Sequence, residues 1–245
     1  MQNIANTVWA FLTASQQDAQ LFAALARAAV LCLSDFEVQG LANTAWAFAT
    51  ASQSDAQLFT ALATATEMRV GDFNVQSLAN TAWAFATLGQ SDLKLFTALA
   101  RTAEQRLGDL NVQHLANTAW AFATASQQDA QLFATLARSA ELRLGDLKVE
   151  YLANTAWAFA TASQSDAQLF AALARMAELR PSSFNVQSLA NTAWHSTARL
   201  PYRPAAVHHR LGTAGASCTH CNCGFRAARF YFTFWWFFRT FFLMS

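Results

Sequence analysis

The chain of 245 residues is poor in proline (three) and cysteine (four), and it has no acidic residue after Glu178. Three of the cysteines crowd into residues 218–223 and leave Cys32 alone elsewhere, so no disulfide framework is expected. Charged residues make up only 13% of the chain and apolar residues 54%, which excludes disorder for most of it and suits one large domain or two ordinary ones. No segment alternates apolar and polar residues as a half-buried strand would. Paired carboxylates facing one pocket, a Ser-His-Asp set and a glycine-rich phosphate loop are also missing, so neither an enzyme nor a bound cofactor is expected.

The formal charge of +1 averages two unlike parts. Residues 1–194 hold ten Lys and Arg against all fifteen Asp and Glu, a net −5, whereas residues 195–245 hold six Arg and no acid, a net +6. An acidic first part repels phosphate and weighs against a protein held to nucleic acid by charge alone.

What is abundant is repetition. The stretch Leu-Ala-Asn-Thr-Ala-Trp-Ala-Phe recurs with its leading residue at Ile4, Leu41, Leu78, Leu115, Leu152 and Leu189, always 37 residues apart. Five complete copies occupy 4–188, and the sixth stops matching after Trp194. A fixed period of this size marks stacked supersecondary units, none of which buries its apolar face alone.

Each unit reads as two helices. The first follows a turn such as Gly71-Asp72-Phe73-Asn74, is capped by Asn74 and runs to about Thr87. On a 100° wheel Leu78, Ala79, Ala82, Trp83, Phe85 and Ala86 form an apolar arc, and Gln76, Ser77, Asn80, Thr81, Ala84 and Thr87 occupy the remainder. The second helix starts at Ser54-Asp55-Ala56-Gln57 and at Ser165-Asp166-Ala167-Gln168, which have capping-box form, and continues into a stripe of Leu58, Phe59 and Leu62. Gly71, Gly108 and Gly145 stand where a left-handed residue would end it. The predicted architecture is an all-α solenoid of 37-residue helix-turn-helix repeats, with about five complete units in residues 1–194 and an irregular cationic tail in 195–245.

Trp9, Trp46, Trp83, Trp120, Trp157 and Trp194 recur once per unit on the apolar arc and are read as core that holds neighbouring repeats together, in preference to a base-stacking platform. Asn6, Asn43, Asn80, Asn117, Asn154 and Asn191 are identical in every unit, so they cannot distinguish one base from another. They are structural or touch something generic such as a backbone. The amide of Asn80 is expected to satisfy a backbone group of the adjoining repeat.

The run Leu78-Ala79-Asn80-Thr81-Ala82-Trp83-Ala84-Phe85-Ala86-Thr87, preceded by Phe73-Asn74-Val75-Gln76, resembles the signature helix of octotricopeptide and heptatricopeptide repeat proteins. Those are helical-repeat RNA binders of chloroplasts and mitochondria, and similar arrays occur in subunits of the mitochondrial RNA-editing substrate-binding complex. The resemblance covers about residues 1–194. It implies single-stranded RNA as ligand, other subunits of an organellar RNA-processing complex as partners, and a mitochondrial or chloroplast location. Many such proteins end in a RAP domain, and nothing after Trp194 resembles one.

The residue before the leading Leu varies from copy to copy: Asn3, Gly40, Ser77, His114, Tyr151 and Ser188. It falls on the polar arc near Thr81 and Ala84. With that arc lining the inner surface, each side chain would face one nucleotide, Tyr151 and His114 by stacking and Ser77 by bonding to base edges. Drift of an unconstrained surface position is the competing reading. Asn43, Asn80, Asn117 and Asn154 complete the RNA-facing candidates on the first helices.

Helix chemistry accounts for most of the charge. Asp18, Asp55, Asp92, Asp129 and Asp166 open the second helices and complement their dipoles; Arg69, Arg106, Arg143 and Arg180 fall near their ends with the opposite sign. Arg101 with Glu104, Arg138 with Glu141 and Arg175 with Glu178 have the spacing of ion pairs. Arg27, Arg101, Arg138 and Arg175 recur at one position, broken by Thr64, and are the phosphate candidates. The alternative function is a protein-binding solenoid scaffold whose acidic groove suits a basic segment.

The tail breaks into the sixth unit directly after Trp194, where His195 and Ser196 replace Ala and Phe. So abrupt a change is read as a reading-frame shift, a retained intron or a gene-model error, which the nucleotide sequence across codon 194 decides. Cys218, His220, Cys221 and Cys223 lie too close together for a zinc site without a second half, so no metal is expected. The apolar run 230–244 spans roughly 22 Å as a helix and contains Arg239, which disfavours a membrane span. Met1 occupies the register of Val75, so the chain starts inside a helix, as a fragment of a longer protein would.

Overall fold

The computed structural model describes residues 2–14, 18–146, 148–164 and 166–179, all within one compact unit, Met1–Leu200. The expectations for the tail, Ser188, Asn191 and Arg180 lie outside them. Ten helices alternate along the described chain. The first helices of the repeats are α1 (Gln2–Thr13), α3 (Val38–Thr50), α5 (Val75–Thr87), α7 (Val112–Thr124) and α9 (Val149–Thr161). The second are α2 (Ala19–Leu31), α4 (Ala56–Arg69), α6 (Leu93–Gln105), α8 (Ala130–Leu142) and α10 (Ala167–Leu179). Three-residue 3-10 turns at Leu33–Asp35, Val70–Asp72, Leu107–Asp109 and Leu144–Asp146 join one hairpin to the next.

Each helix packs on its hairpin partner and on the equivalent helix of the following repeat, which is the layered order of an α-solenoid. The first helices approach one another more closely than the second helices do. Small residues permit this. Ala42, Thr44, Ala45 and Ala47 on α3, and Ser77, Ala79, Thr81 and Ala84 on α5, are buried between neighbouring helices.

The helix starts are set by side-chain oxygens. Asn74 Oδ1 accepts from the Ser77 N–H at 2.8 Å and Asn111 Oδ1 from that of His114 at 2.8 Å. Asp55 accepts from Leu58 N–H at 2.9 Å, and Asp18, Asp92, Asp129 and Asp166 act likewise on their own helices. The expected capping box at Ser54 is not made; Asp55 is itself the N-cap and α4 begins at Ala56.

The expected left-handed stops are displaced from the second helices to the first. Among the described residues positive φ occurs at Ser52 (54°), Gly89 (67°), Ser126 (57°) and Ser163 (61°), one in each of the second to fifth repeats, just after the first helix. At each, the following Gln N–H reaches back to a Phe carbonyl: Gln53 to Phe48, Gln90 to Phe85, Gln127 to Phe122 and Gln164 to Phe159, all 2.9 Å. This six-to-one bond defines a Schellman end, whose left-handed residue is usually glycine. Gly71 and Gly108 lie in the 3-10 turns, where an added Cβ would meet nothing within 4 Å. Ser126→Gly is expected to raise stability by about 0.5–1 kcal/mol by relieving the Cβ strain, measured as a higher denaturation midpoint at unchanged slope. An unchanged or lower midpoint would refute it.

Two aromatic ladders join the repeats. Phe59 meets Phe85, Phe96 meets Phe122 and Phe133 meets Phe159 edge to face, each at 5.1 Å between ring centroids, and each pair spans two repeats. Trp9 lies 5.1 Å from Trp46, Trp83 stacks on Trp120 at 6.4 Å, and Trp120 stacks on Trp157 at 6.2 Å. Trp46 and Trp83 are buried, so the core reading of the indoles holds there; Trp9, Trp120 and Trp157 are half-buried and pack against the core.

A third tie between repeats was not visible in the sequence. The Arg106 guanidinium donates to the carbonyls of Phe73 and Gly71, and Arg143 to those of Leu110 and, at 3.1 Å, Gly108; Arg69 donates to Phe36. Each arginine therefore grips the turn of the preceding repeat, beyond any interaction with its own helix end.

Candidate functional site

On a first helix of such an array little surface remains. In α5 the residues from Ser77 to Ala86 are buried except for half-buried Asn80, while Gln76 is exposed and Thr87 half-buried. Positions 76, 80, 83 and 87 fall within about 60° of one another on a helix, so Gln76, Asn80, the rim of Trp83 and Thr87 form one stripe. The same register holds Gln39, Asn43, Trp46 and Thr50 on α3, Gln113, Asn117, Trp120 and Thr124 on α7, and Glu150, Asn154, Trp157 and Thr161 on α9.

The Asn side chains do not behave as expected. Among the described residues, no hydrogen bond is made by the amides of Asn43, Asn80, Asn117 or Asn154, although Asn117 is only 8% exposed and the others are half-buried. The bond to an adjoining repeat is absent. What remains is a row of amides, each with donors and an acceptor free, beside the stacked indoles.

The variable residues stand elsewhere. Ser77 is buried at 4% exposure, and a Cβ on Gly40 would meet Phe36 at 3.7 Å. His114 closes a capping box, its Nδ1 accepting from the Asn111 N–H at 3.5 Å; burial pushes its pKa down and so favours the neutral form that can accept. Tyr151 packs half-buried against the core, and its phenol is pushed up by burial and then by Glu150. The placement of this position on an open polar arc is therefore corrected. Ser77 is buried and Gly40, His114 and Tyr151 are half-buried, off the stripe.

The cations form a different surface. Arg27, Arg101, Arg138 and Arg175 are all exposed on the second helices, with Thr64 in the same register on α4. The ion pairs expected with Glu104, Glu141 and Glu178 are not made, since none of these arginines approaches a carboxylate within 4.0 Å among the described residues. Glu104 lies near Asp129 instead, and burial, followed by that like charge, pushes its pKa up. One turn beyond the arginines stand Leu31, Met68, Leu142 and Leu179, all exposed. The candidates thus divide between two layers: amides and indoles on the first helices, unpaired arginines on the second.

Among the described residues no cluster of His, Cys, Asp and Glu could hold a metal, and no helix is long and apolar enough to cross a membrane. Comparison with curated proteins gives no match. A family model described as RNA-editing substrate-binding complex 6 protein matches residues 1–223, running 29 residues past Trp194 and covering the whole helical array. The repeat, the solenoid and this match agree, and the chain belongs to the RNA-editing substrate-binding complex 6 protein family.

Proposed function

We propose that the chain docks single-stranded RNA for an RNA-editing substrate-binding complex, with the arginine row of the second helices following the phosphate backbone. The observation that carries this is the row itself: Arg101, Arg138 and Arg175 occupy one register in three successive repeats, exposed and free of carboxylate partners. Cations supply the salt-dependent part of phosphate binding, and α1, α3, α5 and α7 contain no charged residue. Contact along the row is to the phosphate backbone and so is blind to base sequence. Family membership supports RNA and other complex subunits as partners, and the resemblance to organellar repeat proteins supports a mitochondrion or chloroplast. The reading assigns the chain no catalytic step.

The test is RNA affinity of the full chain against salt concentration, with Arg101→Ala combined with Arg138→Ala. Each phosphate contact to a single strand contributes about 0.7 to the slope of log affinity against log salt, so the double variant is expected to lower it by about 1.4. The loss should be alike for RNAs of different sequence. An unchanged slope would remove the row from the RNA site.

A further inference from the structure

We propose that the stripe on the first helices is a docking track for an extended, basic polypeptide segment of a partner protein, on a surface separate from the arginine row. The Asn amide is identical at positions 43, 80, 117 and 154 and makes no bond within the protein, so it suits a ligand whose own groups repeat identically. A peptide backbone offers a carbonyl and an N–H in fixed alternation, which one amide can bond together.

The indoles of Trp83, Trp120 and Trp157 form a continuous stack beside the amides, with ring centroids 6.4 and 6.2 Å apart. The half-buried rims of Trp120 and Trp157 offer flat surface to the aliphatic stems of long side chains.

Charge identifies the segment as basic. The only charged residue within the five first helices is Glu150. Acids stand at the caps that follow these helices, Asp55, Asp92, Asp129 and Asp166, whereas Asp35, Asp72 and Asp109 sit in the preceding turns that the Arg69, Arg106 and Arg143 guanidinia grip. None is in an ion pair among the described residues. Lysine or arginine side chains reaching from the track toward the cap acids would meet these carboxylates.

The probe is a fluorescein-labelled twelve-residue peptide of alternating arginine and serine, compared with one of alternating glutamate and serine and with a twelve-nucleotide RNA. The full chain is expected to bind the arginine peptide at least about tenfold more tightly than the glutamate peptide. Asn80→Ala combined with Asn117→Ala should weaken that binding roughly tenfold, with melting temperature and RNA affinity unchanged. Equal affinity of the double variant for the arginine peptide overturns the proposal, as does loss of RNA binding in it, which would give the stripe to RNA. If the variant does not fold, hydrogen exchange of the unaltered chain decides. Peptide-dependent protection of Val75–Thr87 and Val112–Thr124 is expected, and protection confined to the second helices overturns the proposal. Arg101→Ala with Arg138→Ala should spare peptide binding, which separates failure here from failure of the RNA reading.

Discussion

Replacing Trp83 by alanine is expected to cost about 3–5 kcal/mol and to lower the melting temperature by on the order of 10 °C. The indole is 9% exposed and stacks on Trp120 of the next repeat at 6.4 Å with a 30° tilt. Small residues surround it, with Ala79, Ala82, Ala84 and Ala86 all buried in the same helix, so nearby side chains have few atoms with which to fill the void. A solenoid is held by nearest-neighbour interfaces, so the damage falls between the third and fourth units and the melt should broaden as the two sides uncouple. Trp83→Phe keeps an aromatic face and should lose much less. Circular dichroism melts of the three proteins check this; an alanine variant that melts like the parent would contradict a core role for the indole.

Arg106→Ala is expected to cost about 2–3 kcal/mol, because one guanidinium satisfies two carbonyls of the preceding turn, at Phe73 and Gly71. The distinguishing variant is Arg106→Lys. If this arginine only complemented the end of its own helix, any cation would serve and its loss would cost no more than about 1 kcal/mol. A guanidinium fork reaches both acceptors at once and an ammonium does not match that geometry, so lysine should recover less than half of the loss. Chemical denaturation of the parent and both variants measures this. Full recovery by lysine would return Arg106 to the role its sequence position suggested.

The architecture was legible because two periods coexist in the chain: 37 residues between Leu41, Leu78 and Leu115, and 3.6 within each copy. The start of α5 at Val75 and its end at Thr87 follow directly from Asn74 and the apolar spacing. The site was less legible, for a geometric reason. A helical wheel assumes one buried arc, but a first helix in this array is covered by its hairpin partner and by a first helix on either side. Ser77, Thr81 and Ala84 therefore serve as small interface residues, and only the register of Gln76, Asn80 and Thr87 stays open. The signal was present as an i, i+4, i+7, i+11 series that recurs on α1, α3, α5, α7 and α9 with Glu150 as its one departure.

The arginines illustrate a different limit. The 37-residue recurrence of Arg69, Arg106 and Arg143 was plain, but their acceptors are backbone carbonyls of the preceding turns, to which side-chain identity gives no clue. Conversely, Arg101 and Glu104 had the spacing of a pair, yet Glu104 lies near Asp129 and leaves Arg101 exposed. That second departure separates the two kinds of arginine in the array. One kind holds repeats together; the other faces outward and carries the proposed function.

The most direct measurement is photo-crosslinking of the full chain to a 4-thiouridine-containing single-stranded RNA, with the crosslinked peptides identified by mass spectrometry. Crosslinks should fall in Leu93–Gln105, Ala130–Leu142 and Ala167–Leu179, the helices that carry Arg101, Arg138 and Arg175. Crosslinks concentrated instead in Val75–Thr87, Val112–Thr124 and Val149–Thr161 would contradict this account and place RNA on the amide stripe.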